Sequence, residues 1–215
     1  MKRIAITLFL AVLLALGLVR LLRPERVNAW DMRNLPVSEG PVLCLGDSLV
    51  EGVGASVQTG TYPAQLGRLL GRKVMVHGVS GLTARDGLQA VYEAPNLRAA
   101  LVVVTLGGND ILRGTHIDET RSALGEVFAE LQARGCVVAY TEVLGLVSGQ
   151  RARMHRELCR KAGVILIPDI MHGVLGNEEL LADTVHPNDA GYALIAERIA
   201  AILQPYLDGT TRHGR

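Results

Sequence analysis

Five short apolar runs, at 42–45, 74–77, 101–106, 137–140 and 164–167, constrain this chain more than any other feature of it. None alternates apolar with polar residues, as a strand with one wet face would. The runs therefore predict strands buried on both faces, the condition of a parallel sheet covered by helices. Helical stretches separate them. Residues 63–70 carry apolar positions at helical spacing after Pro63, and 83–92 form a weaker stretch interrupted by Gly87. Residues 117–134 open with Asp118 and Glu119, where negative charge suits the helix dipole, and end at Gly135. Residues 151–161 end at Gly163, and 188–203 end before Pro205. This alternation predicts a five-stranded parallel sheet in a three-layer α/β/α sandwich. One domain over 41–207 accommodates it, followed by a frayed tail at 208–215.

Composition supports that reading. Hydrophobic residues make up 49% of the 215, enough to fill such a core without a disulfide or metal staple. The three cysteines form no CxxC pair and no Cys/His ligand spacing, so no metal site is expected. Cys44 and Cys136 fall in strand runs and read as small buried hydrophobes, with Cys159 in a helix. A net charge of +1 without a basic patch gives no case for nucleic acid. Gly52-Val53-Gly54 superficially resembles a dinucleotide loop. Val57 replaces its third glycine, however, and no acidic residue ends the second strand, so no cofactor is expected.

The N-terminus is distinct. Residues 4–19 carry no charge and are flanked by Lys2 and Arg3 on one side and Arg20 and Arg23 on the other. As a helix, 4–22 would span about 28 Å, close to the hydrocarbon thickness of a bilayer. No small-x-small cleavage site follows the run. An uncleaved signal anchor over 1–23 is the expectation, with a tether over 24–40 and the domain outside the inner membrane, in the periplasm. Cleavage and release into the periplasm is the alternative.

In a parallel sheet, ligands sit outside the carboxyl ends of the strands. Ser48 follows the first strand, Ser80-Gly81 the second, and Gly107-Gly108-Asn109-Asp110 the third. A serine hydroxyl is a poor nucleophile until a base removes its proton. His186 is the best base among six histidines, because Asp183 precedes it by three residues and is close enough to orient the imidazole. His155 sits mid-helix and His213 in the tail. His77, His116 and His172 lack a carboxylate in a comparable turn, although Asp118 follows His116. An oxyanion needs preorganised donors, and the Ser48 N–H, the Gly81 N–H and the Asn109 amide supply three. Ser80 is the weaker nucleophile candidate, since Leu82 stands where G-x-S-x-G needs glycine. Asp47 and Asp110 are expected to bind backbone groups in their own loops.

With those residues in place, the chain resembles the SGNH, or GDSL, hydrolases. The four blocks are Gly46-Asp47-Ser48-Leu49, Gly81, Gly107-Gly108-Asn109-Asp110 and Asp183-Thr184-Val185-His186-Pro187. The run from Leu106 to Gly114 is similar to the acyl-CoA thioesterase, lysophospholipase and arylesterase group. The resemblance implies a flavodoxin-like SGNH hydrolase fold and a serine hydrolase of carboxylic esters or thioesters working through an acyl-enzyme. It also implies Ser48 as nucleophile, His186 as base and Asp183 as orienter, with Ser48, Gly81 and Asn109 around the oxyanion. Two departures bear on substrate range: the segment 141–150 is short, and Asp183-Thr184-Val185-His186 replaces the commoner Asp-Gly-Ile-His.

Leu49, Val50, Ile111, Leu112 and Val185 flank the reacting groups and are expected to line a groove for the acyl chain of a small ester or thioester. The rival within enzymes is a carbohydrate O-deacetylase on the same groups. Outside enzymes, it is a membrane-tethered binding module with an inert site. Acyl length, head group and self-association stay open.

Overall fold

A computed structural model describes residues 27–143 and 149–210. The five strands are β1 (Val42–Gly46), β2 (Val74–Gly78), β3 (Leu101–Thr105), β4 (Val137–Thr141) and β5 (Ile165–Ile167). They form one sheet in the order β2-β1-β3-β4-β5, every pair parallel. Among the described residues, seven α-helices accompany them: α1 (Ser48–Glu51), α2 (Tyr62–Leu70), α3 (Ala84–Glu93), α4 (Gly108–Leu112), α5 (Ile117–Ala133), α6 (Gln150–Ala162) and α7 (Asp189–Leu207).

The absence of alternation in the apolar runs has a direct cause. Val42 and Cys44 of β1 join a core with Tyr62 and Leu66 of α2 and Ile195 and Ile199 of α7. Their neighbours Leu43 and Leu45 join a second core with Leu88 of α3, Phe128 and Leu131 of α5, and Cys159 of α6. Both faces are covered, so both parities are apolar. The edge strand β2 departs from expectation, since none of its residues is fully buried and Val76 is largely exposed. It has a neighbour on one side only.

Helix ends follow their caps. Thr61 accepts from the Ala64 N–H ahead of α2, and Thr83 with Asp86 forms a reciprocal capping box at α3. The expectation that the last helix stops before Pro205 fails, because α7 runs on to Leu207. Pro205 sits in the last turn, where its missing N–H leaves the Ala201 carbonyl without its i+4 donor, but Tyr206 and Leu207 pack against the core beyond it. The strong helix stop expected from proline is thus overridden by packing.

Within the segment expected as a tether over 24–40, the chain is hydrogen-bonded to the sheet and its flanks from Asn28 to Asn34. The Asn28 amide donates to Leu166 O at 3.0 Å and its oxygen accepts from Leu166 N at 2.8 Å. The Trp30 indole donates to Val164 O, and the Arg33 N–H to Gly163 O. Asn34 donates to the carbonyls of Gln132 and Cys136. The segment therefore satisfies the outer edge of β5, which would otherwise present unpaired backbone groups. The expected signal anchor at 1–23, the interior of the short 141–150 segment (144–148) and the end of the tail (211–215) lie outside the described residues. Among the described residues, no helix is long and apolar enough to cross a membrane.

Replacing Asn28 with Ala strands a buried N–H and C=O of Leu166, at about 1–3 kcal/mol for each group left unpaired. Urea unfolding should therefore show a lower midpoint with an unchanged slope. A free tether would leave the midpoint where it was.

Candidate active site

The chain leaves β1 toward β2 on one side and reaches β3 on the other, so a crevice opens above the carboxyl ends of β1 and β3. Ser48 and Asn109 enter it from the two sides. Gly46 makes the approach possible, since a Cβ there would lie 2.0 Å from Thr105 O. The next residue, Asp47, donates its N–H to that carbonyl at 3.2 Å and caps α1 by accepting from Leu49 N at 3.0 Å. Ser48 is thus the first residue of a four-residue helix, and its own N–H has no intrahelical acceptor.

His186 stands above this turn. Its Nε2 lies 3.0 Å from Ser48 Oγ and its Nδ1 2.7 Å from Asp183 Oδ2. The other oxygen of Asp183 accepts from the N–H groups of Val185 and His186, both at 2.8 Å. Those backbone bonds and the His186 ring lower the Asp183 carboxyl to about 2. An ionised carboxylate only accepts, so it fixes the proton on Nδ1 and leaves Nε2 to accept from Ser48.

The turn is fixed from several directions. Ala182 N donates to His186 O at 2.8 Å, Leu181 bridges Pro187, and Asn188 caps α7 through the N–H groups of Ala190 and Gly191. Gly52-Val53-Gly54 also finds its use here. Gly54, at φ +93°, lies so close that a Cβ would meet Pro187 O at 2.5 Å, and Val53 O accepts from the Tyr192 hydroxyl.

Opposite, Asn109 donates from Nδ2 to Leu82 O at 3.0 Å and, more weakly, to Asp47 Oδ2 at 3.4 Å. Gly81 is held by the Arg113 guanidinium on its carbonyl at 2.8 Å. Asp110 departs from the expected role in its own loop. It accepts from Ala84 N at the start of α3 and from the Thr120 hydroxyl of α5, and so ties α4 to two other elements. Ser80 bonds to Glu51 through both its N–H and its hydroxyl. His116 meets Asp118 at 3.6 Å and caps α5.

Ser48, Gly81, Asn109 and His186 line one cavity of about 410 Å³. Leu49, Ile111, Leu112 and Val185 line it, but Val50 does not. Val50 is wholly buried in the core. On a helix it lies about 200° around from Ser48, facing the sheet instead of the crevice. Val143, Met171 and Leu175 complete the apolar wall and were not foreseen. Their signal was their position past the carboxyl ends of β4 and β5. Also unforeseen is the buried pair His155–Glu142, at 3.1 Å.

Known proteins share this chain's sequence and fold. Residues 44–194 match the GDSL-like lipase/acylhydrolase family. The chain belongs to that family. It is 29% identical over 180 residues to thioesterase 1/protease 1/lysophospholipase L1 of Escherichia coli K12, covering 78% of this chain and 85% of that protein. It is 28% identical over 181 residues to esterase TesA of Pseudomonas aeruginosa, covering 77% and 89%. A crystal structure of TesA superposes with a TM-score of 0.70 at 27% identity, over 78% of this chain and 99% of that one. As a family member, the protein is a hydrolase of carboxylic ester or thioester bonds.

Asp47 offers a test of the site's electrostatics. Burial pushes its carboxyl up from 3.8 to about 6, only partly offset by the Leu49 N–H and by His186. A raised folded-state value favours folding below 3.8, and that advantage is lost as pH rises through about 6. Asp47→Asn keeps an acceptor for Leu49 N and removes the buried charge. Its melting temperature should gain on wild type as pH goes from 5 to 8, by roughly 1.4 kcal/mol in stability, the worth of about one pKa unit. A difference independent of pH would contradict the assignment.

Proposed function

We propose that the cavity hydrolyses esters and thioesters of apolar acyl chains, with Ser48 as nucleophile. The observation that carries this is the Ser48–His186–Asp183 chain, at 3.0 and 2.7 Å, opening onto an apolar wall. In this reading Ser48 Oγ attacks the acyl carbon while His186 Nε2 takes its proton, and Asp183 stabilises the imidazolium. The carbonyl oxygen becomes an oxyanion facing the N–H groups of Ser48 and Gly81 and the Asn109 amide. On collapse the C–O or C–S bond breaks, and the leaving group departs with the proton from His186. Water then attacks the acyl-enzyme with His186 again as base. It releases the acid and restores the serine hydroxyl.

Leu49, Ile111, Leu112, Val143, Met171, Leu175 and Val185 support an acyl chain longer than acetyl, because they offer apolar contact and little to hydrogen-bond a sugar. The uncharged run at 4–19 supports holding this domain at the inner membrane, on its periplasmic side.

Ser48→Ala should lower kcat on p-nitrophenyl butyrate by about 10⁴-fold or more and abolish labelling by a fluorophosphonate. Asn109→Ala should cost about 10²–10³-fold in kcat. Activity should rise from acetyl to longer acyl esters and thioesters. A folded Ser48→Ala variant with wild-type turnover would overturn the nucleophile assignment, and activity confined to acetylated sugars would favour a deacetylase.

A further inference from the structure

Behind the oxyanion side of the cavity lies a buried polar chain that the reaction does not use directly. The Tyr140 hydroxyl lies 3.1 Å from Leu106 O and 3.3 Å from His155 Nε2. His155 Nδ1 lies 3.1 Å from Glu142 Oε1, and Glu142 Oε2 accepts from Asp169 N at 3.3 Å. Tyr140, Glu142 and His155 are each almost wholly buried, in the core between β4, α5 and α6. Polar groups are costly there unless every one is paired.

Counting protons fixes the arrangement. A carbonyl only accepts, so the single Tyr140 proton goes to Leu106 O. The Tyr140 oxygen must then accept from His155, which places a proton on Nε2. His155 Nδ1 and Glu142 Oε1 share one further proton. The pair is therefore neutral as a unit, which is the form burial favours.

Leu106 immediately precedes Gly107-Gly108-Asn109. Gly107 takes φ +102° at the N-cap of α4, and a Cβ there would lie 3.2 Å from the Tyr140 hydroxyl. The same hydroxyl thus holds the carbonyl before the turn and fills the space beside it. The geometry points to Tyr140, held by His155 and Glu142, as a positioning residue that sets Asn109 relative to Ser48. This rests on the reading of Asn109 as an oxyanion donor.

Tyr140→Phe deletes the hydroxyl and keeps the ring that packs 5.5 Å from Phe128. Its kcat should fall about 10-fold with KM within twofold, less than the ~10²-fold that a full 1 Å misplacement can cost. The deciding measurement is a double-mutant cycle with Asn109→Ala. If Tyr140 acts through Asn109, Tyr140→Phe has no further effect on kcat in the Asn109→Ala background. Glu142→Gln offers the rescue, because its amide donates to His155 Nδ1 while its oxygen accepts from Asp169 N. That variant should keep wild-type kcat, whereas Glu142→Ala should lose as much as Tyr140→Phe. If Tyr140→Phe does not fold, the same cycle is run with His155→Phe, which removes the Nε2–H and keeps a ring against Tyr140. Equal losses in both backgrounds, or an unchanged kcat in a folded variant, would overturn the positioning role. Wild-type kcat in Asn109→Ala would instead overturn the oxyanion reading on which it rests.

Discussion

The site depends on how closely β1 and β3 run together at their carboxyl ends. Gly46 pairs with Thr105, and the missing side chain lets the Thr105 carbonyl reach the Asp47 N–H. That contact ends the strand and starts α1 at Ser48 in one step, directly over the crevice. Beneath it, the hydroxyls of Thr141, Thr105 and Tyr62 lie 2.8 Å each from the next, linking β4 through β3 to α2. Every buried oxygen in that row has a partner, so the floor of the site is fixed laterally as well as along the strands.

Two aspartates flank the Ser48–His186 pair in opposite environments. Asp183 is exposed and receives two backbone N–H groups and the imidazole, so it stays ionised far below neutral pH. Asp47 is buried with fewer donors, and its carboxyl is pushed the other way. Separation of two carboxyls by environment is how one site holds a permanent charge beside a group that resists charging. The charge that can support an imidazolium is therefore the one on Asp183, while Asp47 serves the geometry of α1 and Asn109.

The strands and the juxtaposition of Ser48, His186 and Asp183 were legible because each carries a signal local in sequence. An unbroken apolar run specifies a strand buried on both faces, and Asp183 and His186 lie three residues apart in one turn. Val50 was misplaced because a residue two positions after Ser48 faces with it on an extended strand and away from it on a helix, and four residues are too few to show which. Pro205 was read by its backbone preference alone, while Tyr206 and Leu207 supplied packing that the preference omits. The Asn28 amide, paired with a strand 138 residues away, leaves no pattern in its own neighbourhood. His155 was set aside for sitting mid-helix, yet that helix face is buried and its partner arrives from the end of β4.

The cavity wall shows why these distant contributions matter together. Its polar groups come from the ends of β1, β2 and β3 and from the turn before α7, whereas its apolar surface is assembled from α1, α4 and the segments beyond β4 and β5. Three elements carry both kinds: α1 presents Ser48 and Leu49, α4 presents Asn109 and Ile111, and the turn before α7 presents His186 and Val185. Leu112 remains 70% exposed at the rim, leaving apolar surface in water that an acyl chain would cover. Burial of such surface stabilises by about 25 cal/mol per Å². The gain is non-directional, so it can hold a chain but cannot orient its carbonyl. Orientation must come from the hydrogen-bonding groups on the floor, which is why their buried supports bear on turnover more than on affinity.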